Sequence, residues 1–167
     1  MSTFEILARA ALVGIGGTLV LDLYVALLQR VWGIPGSNWA MVGRWIGHMP
    51  RGQFVQRKLG AAEKIPGERA LGWFFHYLIG IGIGYGLLLV AFASPGWLKE
   101  PSLAAPVLVA LVLLALPYFV MMPGMGMGIA ASRAPRPAIA RMKSVASHSV
   151  FGIGMYLAGL LLANVLP

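Results

Sequence analysis

The chain has 167 residues, of which 59% are hydrophobic and 11% charged, with no cysteine and a net charge of +8. A compact soluble domain of this size has no core large enough to bury so much apolar surface, so a mean hydropathy of +0.80 points to an integral membrane protein and excludes an ordinary water-soluble fold. Without cysteine, disulfides and thiolate metal sites are excluded too, and basic residues grouped between apolar runs suit anionic lipid headgroups better than nucleic acid.

Four stretches, at about residues 10–31, 70–92, 103–122 and 145–166, are long enough to cross ~30 Å of hydrocarbon at ~1.5 Å per residue. They predict one all-α domain over residues 1–167, a four-transmembrane-helix bundle. The first stretch is too long for a signal-peptide core, carries Asp22 at its middle and lacks a clean small-residue cleavage site, so it is expected to remain as a span. Gly14, Gly16, Gly17 and Thr18 thin one of its faces for a close neighbour. Asp22 below them is either tied to a partner inside the bundle or functional, because a lone carboxylate in hydrocarbon is costly.

The connection that follows is too long for a simple loop. In NWAMVGRWIGHM the spacing places Trp39, Val42, Ile46 and Met49 on one helical face, with Arg44 and His48 on the other. It predicts an interfacial amphipathic helix at about residues 37–49, with Trp39 and Trp45 at headgroup depth and Arg44 and His48 in water. Pro66-Gly67 then leads into the second span, where Gly80, Gly82, Gly84 and Gly86 read as a close-packing surface rather than a phosphate loop. Ser94-Pro95-Gly96-Trp97 ends that span and puts Trp97 at the outer interface.

The third span is plain until Pro117, after which YFVMMPGMGMG breaks helical regularity. Met121, Met122, Met125 and Met127 lie within it, and thioethers suit copper(I), although apolar filling is the plainer reading. The loop ASRAPRPAIARMK, carrying Arg133, Arg136 and Arg141, is suited to lipid phosphate or an acidic partner. The two basic loops, the first also holding Arg44 and Arg69, should be cytoplasmic, which puts both termini outside.

Arg69, His76 and Gly80-Ile81-Gly82 recur in the same spacing as Arg141, His148 and Gly152-Ile153-Gly154. The echo points to two parallel helical-hairpin repeats, against the competing reading that abundant glycine produced it by chance. His76 and His148 each lie seven residues beyond their arginine and Asp22 eight before Arg30, so all three sit at about 10–12 Å depth by helical rise. They are the candidate ligand or metal residues.

GERALGWFFHY at 67–77, PGMGMGIAASRAPRP at 123–137 and HSVFGIGMYLAG at 148–159, with WAMVGRW at 39–45 before them, resemble the bacterial inner-membrane proteins grouped as domain-of-unknown-function family 2938. The resemblance covers nearly the whole chain and implies a four-span protein of the bacterial inner membrane, with no activity to carry over. Ser132-Arg133-Ala134-Pro135 departs from the Ser-Arg-Thr-Pro expected there. Three classes of function stay open. One is an interaction or accessory subunit, joining a membrane partner or a second copy through its glycine-rich faces. Another is a redox or metal-handling component, holding haem b or a transition metal between His76 and His148 with Asp22. The last is a transporter of protons or a small solute. No serine–histidine–acid order, HExxH or paired carboxylate supports an enzyme.

Overall fold

The computed structural model describes residues 1–79 and 85–165, all helix, turn and loop. Among the described residues the α-helices in order are α1 Thr3–Trp32, α2 Trp39–His48, α3 Glu68–Leu78, α4 Tyr85–Ala93, α5 Ala104–Leu113, the short α6 Met122–Gly124 and α7 Pro137–Val165. Among the described residues three helical stretches are long and apolar enough to cross a membrane: Thr3–Trp32, Ala104–Gly124 and Pro137–Val165. Of the expected fourth, the described residues form α3 and α4, of 11 and 9 residues, on either side of residues 80–84. Gly80, Gly82 and Gly84, and with them the first copy of the glycine echo, lie outside the described residues.

Helix ends follow capping chemistry rather than hydropathy, and α1 and α7 therefore begin well before their apolar runs. Ser2 accepts from the Glu5 amide at 3.2 Å while its own amide donates to the Glu5 carboxylate at 3.3 Å, a reciprocal cap that carries α1 back to Thr3. At the other end Gly33, at φ 65°, donates to Gln29 O and the Ile34 amide to Leu28 O, which closes the helix in a left-handed cap. Pro137 opens α7 where a missing N–H costs nothing. Pro117 has no N–H to give either, and the helix from α5 widens there into a π-type turn over Pro117–Met121 before α6.

The chain divides into two compact units. The first comprises Met1–Gly36, Tyr77–Leu113 and Ala146–Pro167. It packs α1, α4, α5 and most of α7 around Val13, Leu89, Trp97, Leu98, Val109, Phe151 and Met155. Small residues set how near its helices come. A Cβ on Gly154 would stand 3.0 Å from the Gly17 Cα, and one on Gly152 would stand 2.7 Å from the Val107 Cα, so α7 lies backbone to backbone against both α1 and α5. Trp97 belongs to this core at 5% exposure, where an interfacial position was expected. Its indole fills the space over Gly159 and donates to Ser102 O at 3.0 Å, which satisfies the ring nitrogen without water.

The second unit comprises Ser37–His76 and Leu114–Val145. Asn38 caps α2 by accepting from the Met41 amide at 3.3 Å. Gly43 of α2 then meets the backbone of Glu68, and Gly72 of α3 meets the Trp39 carbonyl, so the two helices cross in direct main-chain contact. The loop between them is held by Trp45, whose indole donates to Phe54 O at 2.8 Å and lies on Gly124.

Candidate functional site

The α2–α3 crossing concentrates the charged chemistry of the second unit. Its glycines bring Arg44 to Glu68, and the guanidinium binds the carboxylate through two bonds, Nε to Oε2 at 2.8 Å and Nη2 to Oε1 at 2.7 Å. Glu68 Oε2 also accepts from the Ile65 amide at 3.2 Å, and Arg44 Nη1 reaches the carbonyls of Leu59 and Ala62 at 3.5 and 3.4 Å. The Arg44 bond, with help from the Ile65 amide, holds the Glu68 carboxyl down to about 2, and the same bond pushes the Arg44 guanidinium above its ordinary value.

Arg44 is thus buried, as is His48, and the water-facing placement expected for both is corrected. The face they share is turned onto the loop of residues 59–63. His48 Nε2 donates to Glu63 O at 3.0 Å, leaving Nδ1 buried with no protein partner. Glu63 itself reaches Arg51 at 3.4 Å on the surface, where such a pair adds little.

The same two helices, α2 and α3, carry an aromatic cluster. The His76 ring stacks on Trp39 with centroids 4.0 Å apart and meets Trp73 edge to face at 5.5 Å, which orients the imidazole by packing. In the other unit the Tyr77 hydroxyl donates to Asp22 Oδ2 at 2.7 Å, so the carboxylate expected to be costly in hydrocarbon has a neutral donor on it. His148 is half-buried on α7 in that same unit, whereas His76 belongs to the unit of α2. Among the described residues no group of three or more His, Asp or Glu side chains is placed to hold a metal ion.

The remaining expected residues are dispersed. Met122 is buried and Met121, Met125 and Met127 half-buried along a chain reversal in which the Met125 amide donates to Met121 O at 2.9 Å and the Met127 amide to Met122 O at 2.8 Å. Arg69, Arg133 and Arg136 are exposed. Arg141, also exposed, donates from Nε to the carbonyl of Ala130 at 2.8 Å, bracing a segment in which Ala130 and Ala131 both have positive φ.

Sequence reasoning missed Glu68 and Tyr77. Glu68 carried a usable signal, since the chain has five acidic residues and one of them begins a helix just after a run of cations. Tyr77 carried none beyond its nearness to His76. A family model described as a protein of unknown function (DUF2938) matches residues 11–162, and the chain belongs to that family. No curated protein and no solved structure matches it.

Proposed function

We propose that this member of the family is a multi-pass protein of the bacterial inner membrane, its two basic loops cytoplasmic and its termini outside, that serves as an interaction or accessory subunit. The observation supporting this reading is that the polar groups with the most chemical potential are engaged on one another: Asp22 by Tyr77, Arg44 by Glu68, and His76 by two tryptophans. Polar contacts of this kind fix helix pairs, and the glycines beside them bring backbones together, which makes a stiff scaffold for docking. The glycine faces first expected to receive a partner are occupied by the chain's own helices, at Gly17, Gly86, Gly152 and Gly154. A membrane partner or second copy would instead meet the outer leucines of α1, such as Leu19, Leu23 and Leu27, which are exposed.

A second reading is favoured by one contact. A carboxylate and a phenol 2.7 Å apart within an apolar unit can pass a proton, so Asp22 and Tyr77 would be the relay of a transporter. Purification in native lipid tests the readings together. A stoichiometric protein partner, or a defined oligomer, is the expected result. A Soret band or a stoichiometric metal lost in both His76→Ala and His148→Ala would put a redox role in its place, and ion-driven flux abolished by Asp22→Asn would put transport there.

A further inference from the structure

Between Arg51 and Lys58 the chain forms an apolar tip on a fixed base. Phe54 and Val55 are 61% and 68% exposed, yet the backbone on both sides of them is tied down. The Gln53 amide donates to His48 O at 3.3 Å, Phe54 O accepts the Trp45 indole at 2.8 Å, and the Gln56 amide donates to Gly124 O at 2.8 Å. The Gln56 side-chain amide closes the base by donating to Gln53 Oε1 at 3.1 Å, and Gly126 backs against the carbonyls of Gln56 and Arg57. Two large apolar side chains exposed on a backbone fixed by four hydrogen bonds are not a fraying loop.

The residues bordering the tip are cationic. Arg57 and Lys58 follow it directly and are exposed, and Arg51 precedes it, partly offset by Glu63. An apolar tip between cations, on a chain that carries membrane-length helices, has the chemistry of an interfacial anchor: the apolar side chains enter the boundary between headgroups and acyl chains while the cations remain at phosphate level.

We infer that Phe54 and Val55 insert into the headgroup layer of an anionic bilayer, with Arg57 and Lys58 on its phosphates. The inference rests on the chain being a membrane protein, and it adds a second point of attachment in the first loop. That attachment is sensitive to lipid charge, because each cation near an anionic surface contributes about fivefold to partitioning.

The cysteine-free chain makes the test direct. An environment-sensitive fluorophore is placed on Val55→Cys in the full chain, reconstituted in phosphatidylcholine with or without phosphatidylglycerol, and quenched by lipids carrying a nitroxide near the headgroup or deep in the acyl chain. A second label on Leu161→Cys, exposed on α7 and away from the leucines of α1 proposed to meet a partner, reports whether the helix itself is in the bilayer. At position 55 the expected result is quenching by the shallow nitroxide, strengthened by phosphatidylglycerol and weakened about 25-fold in its partition by Arg57→Gln/Lys58→Gln. A water-exposed label at 55 beside a quenched label at 161 would overturn the inference and leave the membrane reading intact. Neither label quenched would overturn both. A label at 55 shielded from water but untouched by either nitroxide would mean that protein covers the tip, and quenching indifferent to lipid charge and to the double substitution would mean that the cations have no part; each overturns the inference.

Discussion

Replacing Gly43 by alanine is expected to break the α2–α3 crossing. The added methyl would stand 2.7 Å from the Gly72 amide nitrogen and 2.8 Å from the Glu68 carbonyl carbon, and nearer still to the Glu68 carbonyl oxygen. All three are main-chain atoms, so no side-chain rotation relieves the clash, and the helices must part by roughly 1.5 Å to regain ordinary van der Waals distance. That displacement is enough to stretch both Arg44–Glu68 bonds, now 2.8 and 2.7 Å, beyond good geometry. Overpacking costs about 1–3 kcal/mol, and a clash with main-chain atoms alone falls at the upper end of that range, about 2–3 kcal/mol; the better helix propensity of alanine returns about 1 kcal/mol, leaving a net loss of about 1–2 kcal/mol. For a chain of this size such a loss lowers the midpoint of thermal unfolding by up to about 8 °C. Gly60→Ala is the control, because a methyl there meets only the Met41 Cε at 4.0 Å and should change stability by less than about 0.5 kcal/mol. Thermal unfolding in detergent, followed by far-UV circular dichroism and by tryptophan fluorescence, measures both. Equal midpoints for Gly43→Ala and Gly60→Ala would refute the backbone crossing.

Glu68 supplies a pH prediction. Its carboxyl is held at about 2 against an ordinary 4.5, a depressed value, so the pair's contribution to stability is fully present above pH 4.5 and is lost as the pH falls from there through about 2. Tryptophan fluorescence of the second unit should change across that interval, and Glu68→Gln should show the acid-state signal already at neutral pH. Tyr77→Phe removes the donor to Asp22 and should cost about 0.6 kcal/mol, at most about 1.7, with Asp22→Asn milder because an amide oxygen can still accept; unfolding midpoints in detergent that rank the two variants the other way would contradict a structural tie. For orientation, Lys99→Cys should react with an impermeant reagent from outside the cell and Ser132→Cys only after permeabilisation, both side chains being exposed.

Much was legible without coordinates. Hydropathy placed three membrane-length helices within several residues of their positions, since a long apolar run satisfies its backbone locally whatever packs against it. A helix was expected at about residues 37–49, and α2 lies within those bounds at Trp39–His48, because Asn38 and the apolar spacing are local signals. Family membership was also legible, in motifs that keep their order along the chain.

Tertiary structure decided the rest. Helical periodicity assigned Arg44 and His48 to water because nothing within one turn neutralises them, yet the carboxylate that takes Arg44 lies 24 residues away, and only the meeting of Gly43 with Gly72 brings it there. Trp97 follows the same logic: composition says interface, while the gap over Gly159 and the Ser102 carbonyl make a core position better. Asp22 was marked as expensive by its place in an apolar run, but which hydroxyl relieves the expense depends on a residue 55 positions later. A sequence pattern records what each side chain needs, and the packing of distant backbones determines which partner meets the need.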